Sequence, residues 1–117
     1  MTDRELLEAA AKAAGLTLWH ENVFTSGLTL KVSDNGVLRW NPLTDDGDAL
    51  RLAVKLALDF YEGNDDGKAA YVGYYEPNGG TRPQRFITER HDEHEDPCAA
   101  TRRAIVRAAA RTQGDAK

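Results

Sequence analysis

Near its start the chain repeats apolar residues at helical spacing. Leu6, Ala9, Ala10 and Ala13 fall on one face, Thr2 and Glu5 have the spacing of a capping box, and Gly15 supplies a stop. That stripe is mostly alanine, which permits close packing but contributes little buried area per residue. The period then changes to two. In "GLTLKVSDNG" Leu28, Leu30 and Val32 alternate with Thr29 and Lys31, "DNG" tolerates left-handed turn geometry, and Val37 to Trp40 returns, so a hairpin is expected. Leu16 to Phe24 reads as extended or irregular, with Trp19, Val23 and Phe24 covering an edge of the core.

Helical spacing resumes from Asp48 to about Leu56, with Leu50, Ala53, Val54 and Ala57 on one face and Arg51 and Lys55 on another. Periodicity would allow this helix to reach Tyr61, with Gly63 as its stop. The aromatic and β-branched content around the Gly-Asn-Asp-Asp-Gly turn favours strands instead, one of them Leu58 to Glu62. Ala70, Val72 and Tyr74 alternate with Tyr71, Gly73 and Tyr75 in a further strand from Ala69. "EPNGGTRP" is a turn, and "QRFITER" is a strand in which Phe86 and Thr88 oppose Arg85 and Ile87. Asp96 as cap and Pro97 at the first helical position open a last helix to about Arg111, with Gly114 just beyond. The expected fold is α/β in the α+β sense: helices flank a small, largely antiparallel sheet in an α-β-α sandwich-like arrangement.

Composition narrows the setting. The 117 residues suit one domain, and folding at this size removes roughly two-thirds of the chain's surface from water. One cysteine, Cys98, allows no intramolecular disulfide, which fits a reducing cytoplasm. "MTDRELLEAAAK" carries charge where a signal peptide needs an apolar core, and no run approaches the roughly 18 apolar residues of a membrane span. A soluble, unprocessed, cytoplasmic protein without membrane contact is therefore expected. The net charge of −4 argues against bulk attraction to nucleic acid. Its distribution is uneven, because after Pro97 the cations Arg102, Arg103, Arg107, Arg111 and Lys117 face only Asp115.

Two stretches carry a resemblance: "WNPLTDDGDALRLAVKL", Trp40 to Leu56, and "DPCAATRRAIVRAAA", Asp96 to Ala110. Together they resemble small phage and prophage proteins grouped under the phage ABA sandwich domain, in which helices flank a small sheet. The likeness spans residues 39–112 and leaves 1–38 uncovered. It implies a fold and a viral or prophage setting, and it transfers no functional residue.

Candidate chemistry is sparse. Asp45, Asp46 and Asp48 surround a glycine as calcium ligands do, but such a loop needs a bidentate Glu at its twelfth position. Counted from Asp45 that place is Leu56; counted from Asp48 it is Asp59, and the third and fifth places are then Leu50 and Leu52. Both registers fail, so Thr44 or Asp45 is read as a helix cap. His91 and His94 lie among five carboxylates in "ERHDEHEDPC" and are metal-ligand candidates, but the pair sits in a connection with no helical pattern to make the rings converge, so a solvated polar linker is the preferred reading. Cys98, in the first turn of the last helix and four residues after His94, is a candidate thiol. The arginines Arg103, Arg107 and Arg111, with Arg102 beside them, form a stripe able to contact phosphate or a partner, or simply a solvated helix face; Ile105, Ala108, Ala109 and Thr101 mark its buried side. Tyr71 and Tyr75 offer aromatic surface for recognition. No cofactor is expected. The leading expectation is a non-enzymatic phage or prophage accessory protein that acts by binding a host or viral macromolecule, with a protein as the expected partner. Nucleic-acid binding through the arginines and a metal-dependent hydrolase at His91 and His94 are the alternatives.

Overall fold

The computed structural model describes residues 2–19, 22, 26–33, 36–62, 69–74 and 85–114. In chain order they form helix α1 (Asp3–Ala13), strands β1 (Leu28–Ser33) and β2 (Gly36–Trp40), and helix α2 (Asp46–Lys55). Strands β3 (Asp59–Glu62), β4 (Ala69–Tyr74) and β5 (Arg85–Arg90) follow, then a 3-10 turn (His91–Glu93) and helix α3 (Pro97–Gly114). This is an α+β fold of three helices and two small antiparallel sheets, β1-β2 and β3-β4-β5. Val23, Phe24, Gly63, Tyr75, the turn residues Asp34 and Asn35, and the "EPNGGTRP" connection lie outside the described residues.

Local signals explain where the helices begin and end. Thr2 and Glu5 make the capping box reciprocally: the Glu5 amide donates to Thr2 Oγ1 at 3.1 Å and the Thr2 amide to Glu5 Oε1 at 2.8 Å. Asp45 caps α2, its carboxylate accepting the Asp48 amide at 2.8 Å, and Asp96 caps α3 through the Ala99 amide. Both α1 and α2 close with a Schellman motif. In α1 the amides of Gly15 and Leu16 donate to Lys12 and Ala11; in α2 those of Ala57 and Leu58 donate to Val54 and Ala53. Gly15 takes the left-handed position at φ 72°, whereas the equivalent position in α2 is Ala57 at φ 54°. That turn ends the helix at Lys55 and redirects the chain into β3, as the strand expectation for this segment requires.

The core is organised around α3. Ala100, Ala104, Ile105, Val106, Ala108, Ala109 and Ala110 are all buried, so the helix is covered over more of its circumference than a surface helix with one apolar stripe. One flank lies on the sheet β3-β4-β5, and α1 and α2 pack against others. In that sheet directly paired residues share a face: Val72 with Phe60 and Ile87, Ala70 with Glu89. Val72, Ala70, Tyr74 and Ile87 from this face enter the core. The β1-β2 hairpin contributes Leu28, Leu30 and Trp40 to the same core. Residues 17–19 extend its sheet: Leu18 bridges Leu30, and the amides of Trp19 and Lys31 donate to Thr29 and Thr17.

Two faces differ from the periodicity argument. In α2 the buried residues are Asp48, Ala49, Leu52 and Ala53, while Leu50 and Val54 are 53% and 72% exposed. The helix starts at Asp46 rather than Asp48, and the staple of Asp48 to the preceding loop turns the Ala49-Leu52 side inward. In α1 the inner side is Leu6, Leu7, Ala10, Ala11 and Ala14, leaving Ala9 and Ala13 half-buried. Val32, expected to continue the buried alternation of β1, is exposed near the hairpin end.

Candidate functional site

The arginines of α3 radiate from the central helix to three other elements. Arg102 donates through Nε to the Leu43 carbonyl at 2.9 Å and through Nη1 to Asp46 at 2.6 Å, which ties α3 to the entry of α2. Arg103 reaches Asp3 at the start of α1, at 3.0 Å. Arg107 donates to Glu89 of β5. These side chains are 18%, 32% and 34% exposed, so they are largely absorbed into the fold. Arg111 alone of the four is exposed, and it pairs with no carboxylate among the described residues. The stripe read from spacing therefore acts first as a set of internal ties.

Glu89 explains part of the histidine cluster. Its carboxylate is 11% exposed and accepts Arg107 on one oxygen while lying 2.7 Å from His94 Nε2 on the other. A carboxylate this buried requires charged or hydrogen-bonding partners, and it has two. His94 is thereby directed to an internal neighbour, while His91 begins the 3-10 turn five positions short of Asp96. Among the described residues no group of three or more His, Cys, Asp or Glu could hold a metal ion.

The aspartates preceding α2 also have separate structural roles. Asp45 caps the helix, and Asp46 holds Arg102. Asp48, which is buried, accepts the Asn41 amide at 2.9 Å and Arg51 Nη2 at 2.7 Å. Periodicity gave no sign that Asp48 would be buried; the signal available was Asn41-Pro42 ahead of the cap, which turns the chain back over the helix start. Tyr71 is half-buried on β4 opposite Thr88.

Apolar surface gathers around two concavities. A cavity of about 360 Å³ is lined by Ala49 and Leu50 of α2, Phe60 of β3, and Pro97, Cys98 and Ile105 of α3, with the Asp46-Arg102 pair at its margin. Leu50 and Phe60 are about half exposed there, and Cys98 is an exposed thiol. A second hollow of about 240 Å³ lies between the hairpin and α2, where Leu30, Val32, Leu38 and Trp40 face Arg51 and Lys55. Leu50 and Val54 look like core residues in sequence; their accessibility is the feature that sequence reasoning missed. Among the described residues no helix is long and apolar enough to cross a membrane. Comparison of the chain with protein-family profiles, with curated proteins and with solved structures found no match.

Proposed function

We propose that the chain is a non-enzymatic accessory protein of phage or prophage origin that acts in the host cytoplasm by binding a protein partner. The supporting observation is the division of labour among its side chains. Ionisable groups suited to chemistry are tied to one another inside the fold, as in Arg107-Glu89-His94 and Arg102-Asp46. Large apolar side chains remain accessible instead: Leu50 and Phe60 beside one hollow, Val32 and Leu38 beside the other, and Val54 on the outer side of α2. Clustered exposed apolar residues with polar margins are what protein-binding surfaces present. The phage setting is supported by the resemblance carried by Trp40 to Leu56 and Asp96 to Ala110, and the cytoplasmic setting by the single cysteine.

Nucleic-acid binding through α3 has less support, because three of its four arginines already hold carboxylates. A hydrolase at His91 and His94 has less again, because His94 is engaged by Glu89. Affinity capture from bacterial lysate tests the reading, with the wild type and surface variants Leu50→Glu and Leu38→Glu as baits. A specific protein retained by the wild type and lost by at least one variant is expected. Recovery of no specific partner, or tight salt-dependent retention of DNA or RNA in its place, would overturn it.

A further inference from the structure

We infer that the outer edge of β3 and the adjoining 360 Å³ cavity form one docking site for an extended, basic-apolar segment of a partner protein, which adds to the sheet as a strand. This rests on the reading of the chain as a protein-binding module and specifies how the partner is held. Two features meet at the same place. First, β3 pairs with β4 on one side only, and among the described residues no strand covers its other edge, so main-chain donors and acceptors are available there. Second, Phe60 sits in the middle of β3 on the helix-facing side, opposite Val72, and forms one wall of the cavity. A strand laid against β3 would point alternate side chains toward α2 and α3, and one of them would enter the hollow between Leu50, Phe60 and Ile105.

Charge selects the occupant. At the cavity margin Asp46 and Arg102 satisfy each other, Arg102 also donating to the Leu43 carbonyl, while the segments that line the cavity carry Asp45, Asp59, Glu95 and Asp96 next to its lining residues in sequence. A partner strand with Lys or Arg flanking an apolar residue meets the same positions with opposite charge. At about 360 Å³ the cavity is near the lower limit for a whole small ligand but ample for one Leu, Ile or Phe side chain.

Cys98 provides a probe already in place, because the chain's one thiol is exposed and lines the cavity. The experiment selects a displayed heptapeptide library on the purified chain and measures the winning peptides, fluorescein-labelled, by anisotropy. Expected are sequences with a central apolar residue flanked by Lys or Arg. Leu50→Glu should weaken their binding at least tenfold, and prior alkylation of Cys98 with N-ethylmaleimide should do the same in the otherwise unaltered protein. Bound peptide should slow Cys98 alkylation and protect the amides of residues 59–62 from hydrogen exchange. An empty selection, an acidic consensus, affinity unchanged in both altered proteins, or protection confined to the β1-β2 hairpin would overturn the proposal. Lysate capture separates the two levels. A partner retained by Leu50→Glu removes this docking mode and leaves the binding-protein reading, whereas no partner for the wild type removes both.

Discussion

Replacing Arg107 by methionine keeps most of the side-chain stem but removes the cation that faces Glu89. Glu89 is 11% exposed and would be left with His94 as its remaining partner among the described residues. Breaking a buried ion pair from one side typically costs about 3–5 kcal/mol. The residual exposure of Glu89 and its contact with His94 place Arg107→Met at the lower end, about 2–3 kcal/mol, or roughly 10 °C in Tm for a chain of this size. Glu89→Met costs less, about 1–2 kcal/mol, because Arg107 is one-third exposed and can turn its guanidinium to water. With both replaced, no charge is stranded, and the double variant should lie within about 1 kcal/mol of wild type. Urea denaturation of the four proteins should therefore give a coupling energy of at least about 2 kcal/mol. The pair between Arg103 and Asp3 is the control: its side chains are 32% and 55% exposed, so Arg103→Met should cost under about 1 kcal/mol and depend more on salt. A coupling below about 0.5 kcal/mol, or equal losses for Arg107→Met and Arg103→Met, would refute the assignment of Glu89 as a buried, partner-dependent charge.

The matched helix endings make a reciprocal pair of predictions. Ala57→Gly should stabilise by about 0.5–1 kcal/mol because Ala57 holds a left-handed φ of 54°, and Gly15→Ala, at φ 72° with open space around it, should destabilise by about 1 kcal/mol; two changes of the same sign in denaturant melts would contradict the shared motif. Gly27→Ala should be worse than Gly15→Ala, at about 2 kcal/mol or more, since φ is 127° and a Cβ would lie 2.7 Å from both Asn41 Cβ and the Trp40 carbonyl. The Thr2 backbone amide, and then its hydroxyl, hold the Glu5 carboxyl below its ordinary range. A lowered folded pKa contributes stability above the unfolded value and loses it as pH falls through the folded one, so the first turn of α1 should fray on acidification. An NMR titration should find the Glu5 pKa raised in Thr2→Pro, which removes both the amide and the hydroxyl, and an unchanged value would contradict the capping-box origin of the shift.

The contrast between Gly15 and Ala57 shows what was legible in the sequence. Gly15 announces a helix end because glycine is the residue that takes a left-handed position freely, and the stop of α1 could be read directly. Ala57 makes the same turn without that mark, so the choice between continued helix and strand over residues 57–62 rested on composition alone. The capping box, the Asp96-Pro97 entry and the hairpin alternation were legible for the same reason as Gly15: each is a local device whose residues lie within a few positions of one another. The internal ties of α3 are not local. Arg102 meets Leu43 and Asp46 across more than fifty residues, and Arg103 meets Asp3 across one hundred. Spacing on the helix reveals a cationic stripe but not whether folding brings carboxylates to it.

The same limit explains why the accessible surface of α2 was misread, and it bears on function. A face of Leu50, Ala53, Val54 and Ala57 satisfies helical periodicity as well as the face of Ala49, Leu52 and Ala53 that is buried. The decision between them comes from Asp48, whose carboxylate takes the Asn41 amide and fixes the rotation of the helix about its axis. Once that rotation is set, Leu50 must face the cavity beside Phe60 and Val54 must face solvent. Burying about 70 Å² more of each side chain against a partner would be worth roughly 1.5–2 kcal/mol apiece at 25 cal/mol per Å², whereas leaving them exposed contributes nothing to folding. Apolar residues held in water by a buried polar staple are thus costly for solubility and idle for stability. That combination is intelligible when the surface they form is the one that meets another protein.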